Sequence, residues 1–307
     1  MSVAEIAHDN EKTIDAIRDA ISDVFLGRKQ AIDLALICLL SDGHLLIEDV
    51  PGSGKTSLSS ALARSLGLDF NRVQCTNDLL PADITGLSIF DRQTGAFEVK
   101  EGPVFTQILL ADELNRVPSK TQSALLQAME ERAVSIDTVT KPLPKPFLVI
   151  ATQNPRENIG TFDLPESQLD RFSLAMSIGR PDLDVQRYIL QHAPRRADSV
   201  AAIISAEKVI DMQSQVSAVS AHDDVLGYLL TLADSIESRC HITLSVRYRQ
   251  QLLALARSCA FIDGRDYVTP DDVKMLVPHS LHHRLGRGDV AATKALVDTI
   301  LSETALP

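Results

Sequence analysis

The chain has 307 residues, of which 45% are hydrophobic and 23% charged, and its formal net charge is −11 at pH 7. This length is enough for two domains with a sizeable core, and the composition is that of a soluble globular protein. The negative charge, with an aromatic content of 4% and no Trp, argues against a protein whose main partner is nucleic acid.

The sequence gives no indication of membrane insertion or export. The apolar stretch 31–40 is interrupted by Asp33 and is too short to span a bilayer. Residues 1–10 carry acidic groups and lack the apolar core of a signal peptide. The cysteines are widely spaced without a C-x-x-C pair: Cys38, Cys75, Cys240 and Cys259. We therefore expect a cytoplasmic protein with buried, reduced thiols.

Short apolar runs alternate with helical segments as far as about residue 180. The predicted strands are Leu45–Ile47, Phe70–Cys75, Ile108–Ala111, Phe147–Ala151 and Leu174–Ile178. This alternation predicts the α/β class, with a parallel sheet covered by helices on both faces. We assign residues 1–181 to this α/β core.

Beyond Pro181 only helical spacing remains. The predicted helices are Asp184–His192, Ser205–Ser217, Asp224–Glu237, Ser245–Ile262, Thr269–Val277 and Asp289–Ser302. The helix at Thr269 has a clear start, with Thr at the N-cap, Pro at the first position and acids in the first turn. Residues 182–307 are therefore predicted to form a small all-helical domain, joined to the core near Arg180–Pro181. His282 and His283 are expected at a solvated helix end rather than in a metal site.

Residues 48–56 read Glu-Asp-Val-Pro-Gly-Ser-Gly-Lys-Thr and are the most informative segment. Gly52 and Gly54 allow backbone N–H groups to surround an anion. Lys55 would reach the β- and γ-phosphates of ATP, and the Thr56 hydroxyl would bind Mg²⁺. An apolar strand precedes the loop and a helix follows it, which places a helix N-terminus against the phosphates.

One position departs from the strict phosphate-loop pattern. Asp49 stands where that pattern has its first glycine, so the match is to the Gly-Lys-Thr end of the motif. An ordinary glycine turn is the alternative. The predicted nucleotide-binding residues of the loop are Pro51, Gly52, Ser53, Gly54, Lys55, Thr56 and Ser57.

Two further predicted strands end in polar side chains at the edge where open α/β sheets bind ligands. Asp112 and Glu113 follow the run 108–111, and Asp112 would hold Mg²⁺ while Glu113 activates the attacking water. Asn154 follows the strand after that and could hold the water or the γ-phosphate. Taken alone, the acids could be a solvated strand end and Asn154 part of a turn.

Arg171, in the segment Gln-Leu-Asp-Arg-Phe, is a permanent cation with five donors. Such an arginine can stabilise the charge of a transferring phosphoryl group, and a neighbouring subunit can supply it. From the spacing alone, a surface ion pair to Asp170 or Glu166 is the favoured interpretation.

Together these segments resemble the AAA+ ATPases and, among them, the MoxR family. The resemblance rests on five segments in the family's order: 48–56, 109–116, 120–131, 151–155 and 164–172. It implies that Lys55 and Thr56 are the Walker A pair and that Asp112 and Glu113 are the Walker B pair. It further implies that Asn154 is the sensor 1 residue. By the same resemblance, Arg171 is an arginine finger that reaches the neighbouring subunit's site.

The resemblance extends to both flanks of this core. Ser245-Val246-Arg247 aligns with the family's Ser-Pro-Arg, so Arg247 is similar to the sensor 2 arginine, with Val in place of Pro and Arg249 as the other candidate. Residues 24–28 resemble the segment that flanks the adenine, where Gly27 would allow close backbone approach. Two insertions resemble those that face the ring pore in this family, although ordinary surface hairpins are the alternative. The first pairs 87–91 with 96–100 across Gln93-Thr94-Gly95; the second is a Pro-rich segment between 133–137 and 146–149.

The resemblance implies a Mg²⁺-dependent ATPase that forms a ring, expected to be a hexamer, and acts as a chaperone on a protein client. A von Willebrand factor A domain protein or a metal-containing enzyme would be the family's type of client. A nucleotide-gated assembly scaffold and a DNA-associated motor are the competing hypotheses. The presence of Glu113 favours hydrolysis over a scaffold, and the net charge of −11 disfavours the DNA motor.

Overall fold

Five parallel strands form the central sheet of the N-terminal half. The computed structural model describes residues 3–93, 95–154, 160–192, 195–285 and 290–304. The strands are β1 (Leu45–Glu48), β2 (Phe70–Gln74), β5 (Ile108–Asp112), β8 (Leu148–Gln153) and β9 (Leu174–Met176), in the spatial order β2-β5-β8-β1-β9. All four neighbouring pairs run parallel, and the α/β class and the five predicted strands are confirmed.

The apolar strand sequences follow from burial of both faces of this sheet. Leu45 and Ile47 of β1 pack into one hydrophobic cluster, whereas Leu46 between them packs into the other. Ile108 and Leu109 of β5 divide in the same way, because successive side chains of a strand point to opposite faces. A strand that is covered on both sides has no need for alternating polar residues.

Helices cover the two faces. The N-terminal half contains α1 (Val3–Ser22), α2 (Lys29–Leu40), α3 (Lys55–Ser65), α4 (Pro81–Thr85), α5 (Ser119–Glu131) and α6 (Glu166–Leu169). Residues of α1, α2 and α3 share a core with one face, and residues of α4 and α5 share a core with the other. No described helix combines the length and the apolar composition needed to cross a bilayer. All four cysteines are free thiols, of which Cys240 is half-buried and the others are buried.

Two antiparallel hairpins project from the core. The first pairs β3 (Gly86–Asp91) with β4 (Ala96–Glu101), as predicted, and Thr94 in its turn lies outside the described residues. The second pairs β6 (Ala133–Ile136) with β7 (Val139–Pro142). This second hairpin corrects the sequence interpretation. Its returning strand lies within the bracketed Pro-rich segment, and residues 148 and 149 instead belong to the central strand β8, where their apolar side chains are buried.

The described elements beyond residue 182 are all helical. They are α7 (Leu183–Gln191), α8 (Ala206–Ala218), α9 (Asp223–Cys240), α10 (Val246–Ile262), α11 (Pro270–Leu281) and α12 (Val290–Glu303), with short 3-10 turns at Ala197–Ser199 and His282–Arg284. Asp272 accepts a hydrogen bond from the Thr269 N–H at 2.7 Å, which confirms the predicted start of α11. Asp289, the predicted start of the last helix, lies outside the described residues.

The helical half shares one hydrophobic core with the sheet. Helix α10 packs on α1 and α2, and α11 packs against the edge strand β9, so that this edge is covered rather than left open. The division at residues 181 and 182 therefore remains a prediction about chain organisation, because a continuous apolar cluster crosses it.

A polar junction fastens the helical half to the segment before β9. Arg284, only 7% exposed, donates from Nε to the Asp170 carboxylate at 2.9 Å and from Nη2 to the Phe172 carbonyl at 2.9 Å. The Asp170 carboxylate also accepts a hydrogen bond from the Ser245 hydroxyl at 2.9 Å. Buried charge is tolerated here because the guanidinium and the carboxylate pair with each other, and the guanidinium also donates to free backbone carbonyls.

The two neighbouring histidines are not at a solvated helix end, and that expectation was wrong. His283 is buried, with its Nε2 3.0 Å from the Phe172 carbonyl oxygen. His282 lies 2.8 Å from a carboxylate oxygen of Glu48, at the end of β1. Packing of α11 across the sheet edge, which local spacing does not reveal, brings both rings onto the core.

Two histidine rings, His44 and His283, are buried in the core of the protein. His44 accepts the Val149 N–H at Nδ1 (3.0 Å), and its Nε2 lies 3.2 Å from the Met129 carbonyl oxygen, which fixes a neutral tautomer. Burial, and then the nearby Arg132 guanidinium, hold the pKa of His44 well below its ordinary value. Burial and Arg284 likewise lower the pKa of His283.

We expect the two neutral rings to leave the free energy of unfolding at its full value above about pH 6.5, the ordinary histidine pKa. Below that pH the free energy of unfolding should decrease, because the unfolded chain then binds protons that the folded chain excludes. His44→Asn keeps an acceptor for the Val149 N–H but cannot be protonated there. The fall in Tm between about pH 7.5 and about pH 5.5 should be smaller in this variant. His192→Asn, at an exposed ring, should keep the wild-type fall. An unchanged pH dependence in His44→Asn would exclude this ring as a source of acid sensitivity.

Candidate active site

The loop between β1 and α3 has the backbone of a phosphate-binding loop. Gly52 and Gly54 have φ angles of +82° and +96°, a region that side-chain-bearing residues seldom adopt. A Cβ on Gly54 would lie 2.9 Å from the Phe25 ring, whereas a Cβ on Gly52 would meet nothing within 4 Å. Gly52 therefore leaves its side of the loop open to a ligand, and Gly54 allows close packing on the other side.

Lys55 opens α3 and its side chain turns back into the loop. Its ammonium donates to the Asp49 carbonyl oxygen at 2.5 Å, and the residue is 9% exposed. Burial lowers the pKa of Lys55, and the acids Asp112, Asp49 and Glu113 oppose that shift through their charge. The Ser53 hydroxyl is also buried and has no hydrogen-bond partner among the described residues. A cation and unpaired donors at a helix N-terminus suit an anionic ligand.

The carboxylate at Asp49, where the strict motif has glycine, has a definite structural role. It accepts the Val50 N–H at 2.8 Å and the Gly179 N–H at 2.9 Å, with the Ser177 hydroxyl at 3.3 Å. The side chain thus bonds the loop to the segment that follows β9, one residue before Arg180–Pro181. This departure from the pattern therefore gives the loop a hydrogen-bonded connection to that segment.

Residues 24–28 lie beside the loop. Arg28 donates from Nη1 to the Ser53 carbonyl oxygen at 2.5 Å, and its guanidinium lies 5.0 Å from the centre of the Phe25 ring. Gly27 has a φ of +73°, and a Cβ there would lie 2.8 Å from Val185 of α7. Its glycine is therefore required by helix packing, and its contact with adenine remains a prediction.

The acids predicted to bind metal and water end β5 next to this loop. Thr152, fully buried on the neighbouring strand β8, donates its hydroxyl to the Asp112 carboxylate at 2.7 Å and accepts the Glu113 N–H at 2.8 Å. Glu113 itself has a φ of +60°, which turns the chain sharply after the strand. One hydroxyl therefore fixes the carboxylate of Asp112 and the backbone of Glu113 together.

Cationic and amide groups surround these acids. Arg72 on β2 pairs with Asp112 at 2.7 Å, and Arg116 pairs with Glu113 at 3.0 Å. The Gln74 amide donates to the Glu113 carboxylate at 3.3 Å. These charge-assisted contacts hold the two carboxylates in place at the end of β5.

The donor set at this edge suits Mg²⁺. The Thr56 hydroxyl lies in the first turn of α3 and the Asp112 carboxylate ends β5, and both offer the oxygen ligands that Mg²⁺ prefers. The charges of Asp112 and Glu113 oppose the lowering of the Lys55 pKa by burial, so the strand end lies within electrostatic reach of the loop. Asn154 is 8% exposed and follows Gln153, which pairs with Glu48 of β1 in the sheet register, so it lies at the same edge.

The two predicted catalytic arginines lie elsewhere, at the opposite edge of the sheet. Arg171 and Arg247 line an open cleft with Gly43, His44 and Ser173. These three residues precede β1 and β9, whereas the phosphate loop follows β1, so the strands separate the cleft from the loop. Neither arginine is brought together with Lys55 of the same chain. Arg171 pairs with Glu130, and not with the two acids nearest in sequence.

Arg247, rather than Arg249, faces this cleft. Arg249 donates to the Leu244 carbonyl oxygen at 2.7 Å and contacts Asp234 and Glu237 at 3.3 and 3.4 Å, all within the helical half. Arg247 starts α10 and reaches the Glu130 carboxylate on α5 of the core. The structure therefore brings Arg247 to the cleft that Arg171 lines, and its sensor 2 role stays a prediction.

Sequence reasoning missed several residues at both edges: Arg28, Arg72, Gln74, Arg116, Glu130 and Thr152. Thr152 and Glu130 stand inside the segments that carry the family resemblance, so position within a motif was an available signal. For Arg72 and Gln74 the available signal was their place on a strand that the parallel order sets beside Asp112. Only the pairing of β2 with β5 shows that Arg72 and Gln74 lie beside Asp112.

Comparison with known proteins agrees with this geometry. Residues 44–174 match the model of the ATPase family associated with various cellular activities (AAA), and residues 236–304 match the AAA lid domain. The Bacillus subtilis protein YeaC is 40% identical over 296 residues, covering 94% of this chain and 92% of YeaC. Chaperone MoxR1 of Mycobacterium tuberculosis is 36% identical over 303 residues, covering 94% of this chain and 80% of MoxR1.

A solved structure extends the likeness to the whole fold. The crystal structure of a Cytophaga hutchinsonii protein assigned as an ATPase superposes with a TM-score of 0.88 at 34% identity. The superposition covers 99% of this chain and 97% of the other. With its loop, its acid pair and its helical lid in the arrangement described above, the chain belongs to the MoxR family of AAA+ ATPases.

Proposed function

We propose that this protein hydrolyses ATP with Mg²⁺ and uses the energy to remodel or activate a protein client. The observation that carries the proposal is the arrangement of Asp112 and Glu113, fixed by Thr152, within the electrostatic reach of Lys55. A phosphate loop alone would support nucleotide binding. A correctly placed carboxylate next to it supports hydrolysis.

In this reaction water attacks the γ-phosphorus, the bond from that phosphorus to the β–γ bridging oxygen breaks, and ADP and phosphate leave. Glu113 is the group proposed to orient the water and accept its proton, and Asn154 to hold the water or the γ-phosphate. Lys55 and the loop N–H groups bind the phosphates. Thr56 and Asp112 would hold Mg²⁺, which supplies neutralisation of the phosphate charge.

The arginines are proposed to act on the nucleotide of a neighbouring subunit. Arg171 and Arg247 lie at the amino edge of the sheet, whereas the loop of their own chain lies at the carboxyl edge. A ring that places one subunit's amino edge against the next subunit's loop would complete every site. We propose such a ring, with six subunits as the expected number, and mass measurement with and without ATP tests it.

A chaperone function is supported by the relative MoxR1, which is named a chaperone. The proposed client is a protein, with a von Willebrand factor A domain protein or a metal-containing enzyme complex as the family's type. The net charge of −11 favours a protein partner over DNA. Retention of the protein on DNA at physiological salt would contradict this choice.

Glu113→Gln should keep ATP bound while turnover falls by about 100-fold or more, because the amide cannot accept the proton of the attacking water. Nucleotide binding and phosphate release, measured on the same preparation, check this. Glu207→Gln, an exposed carboxylate on α8, is the charge-matched control and should keep wild-type turnover. Unchanged hydrolysis in Glu113→Gln would favour the scaffold hypothesis, in which binding alone matters.

Thr152→Val removes the hydroxyl that joins Asp112 to the Glu113 backbone while keeping the side-chain shape. We expect kcat to fall by about tenfold or more with a smaller change in ATP affinity, because the reacting groups lose alignment but the loop is intact. Thr152→Ser retains a hydroxyl and should recover most of the rate. Equal kcat in Val and Ser variants would show that the hydroxyl does not align the site.

Mixtures of variant subunits test whether both arginines act across the subunit boundary. Lys55→Ala mixed with Arg171→Ala should recover part of the activity, since some boundaries combine an intact loop with an intact arginine pair. A mixture of Arg171→Ala and Arg247→Ala subunits should not recover activity. Every subunit in that mixture lacks one of the two arginines that it would supply to its neighbour's nucleotide. Recovery in the second mixture would instead mean that Arg247 serves the nucleotide of its own chain.

A further inference from the structure

One carboxylate serves both arginines that the proposed function assigns to the neighbouring subunit. Glu130, in the last turn of α5, accepts Arg171 Nη2 at one oxygen, at 2.9 Å, and Arg247 Nη2 at the other. Arg171 comes from the segment before β9 and Arg247 from α10 of the helical half. A single side chain thus holds two cations that come from separate parts of the fold.

These contacts leave the arginines available to another anion. The side chains of Arg171, Arg247 and Glu130 are 25%, 42% and 39% exposed. The Nε of Arg171 is buried and has no hydrogen-bond partner among the described residues. Partly exposed ion pairs are weak because water screens them, so a stronger and more highly charged anion can replace the carboxylate.

The other cation of the cleft is already occupied. Arg132 contacts the Asp42 carboxylate at 3.1 Å and donates to the Phe147 and Asp42 carbonyl oxygens. The charges of Arg132 and Asp42 therefore cancel. The guanidinium groups of Arg171 and Arg247 and the single carboxylate of Glu130 then give the cleft a net charge near +1. Loss of the Glu130 charge would raise the net charge of the cleft to near +2.

We propose that Glu130 is a competing anion that holds Arg171 and Arg247 in the free subunit and gives them up to the γ-phosphate of the neighbour's nucleotide. The inference rests on the proposed function, because it requires that these arginines act across the boundary. A carboxylate beside the incoming phosphate repels it, and release of both ion pairs opposes assembly. Glu130 thereby sets the ATP concentration at which subunits associate.

Glu130→Gln tests this directly, since the amide keeps the shape and removes the charge. The ATP concentration for half-maximal assembly, followed by mass in the presence of Mg²⁺, should fall by about fivefold, the size expected for two partly exposed ion pairs. Hydrolysis should follow with a lower KM for ATP. A purely structural role for Glu130 would move both quantities in the opposite direction, because disordered arginines engage phosphate less well.

Glu131→Gln is the matched control, with the same change in charge one residue along the same helix. Glu131 is exposed and accepts the Gln127 amide at 2.8 Å, whereas both arginines pair with Glu130. It should leave the midpoint and the KM unchanged.

The outcomes separate this inference from the proposed function. If the wild type hydrolyses ATP and Arg171→Ala does not, but Glu130→Gln matches Glu131→Gln or needs more ATP, then only the role of Glu130 is overturned. Glu130→Ala repeats the test with a different side chain and should also lower the midpoint. If the wild type neither hydrolyses ATP nor assembles with it, the proposed function fails, and the role of Glu130 fails with it.

Discussion

The arrangement of the acid pair depends most on the two hydrogen bonds of the Thr152 hydroxyl. This hydroxyl lies at the carboxyl end of a central strand, where it binds the Asp112 carboxylate and the Glu113 N–H at once. Both contacts are short, and Thr152 is fully buried, so water does not compete with them. The strand order makes this possible, because β8 lies between β5 and β1 and thereby joins the acid pair to the phosphate loop.

Candidate functional residues lie at both edges of the sheet. The carboxyl edge holds Lys55 and the acids, whereas the amino edge holds Arg171 and Arg247. Parallel strands enforce this separation, since every loop that follows a strand lies at one end and every loop that precedes a strand lies at the other. Within a single chain the phosphate loop and the arginine pair therefore do not meet. Two chains in head-to-tail contact would unite them, a geometry that produces a ring when the rotation closes.

The phosphate loop is also connected to the helical half. Glu48, the last residue of β1, contacts the Gln153 amide and His282, and Asp49 accepts the Gly179 N–H ahead of Arg180–Pro181. At the other edge, Asp170 holds Ser245 and Arg284 of the helical half, beside Arg171. Hydrogen bonds and ion pairs therefore connect both the phosphate loop and the segment of Arg171 to the helical half.

The sequence by itself determined the α/β class, the five strands, the phosphate loop and the acid pair. Each depends on local chemistry: apolar runs that suit strands buried on both faces, glycines at positive φ, and acids directly after a strand. Tertiary structure decided the rest. The place of the returning strand at 139–142, the burial of His283, the pairing of Arg171 with Glu130 and the work of Thr152 all depend on which strands and helices become neighbours. The partners of His283, Arg171 and Thr152 lie far away in the chain, so no local pattern contains them. Packing of α11 against β9 buries His283, whereas the order of the parallel strands sets Thr152 beside the acid pair.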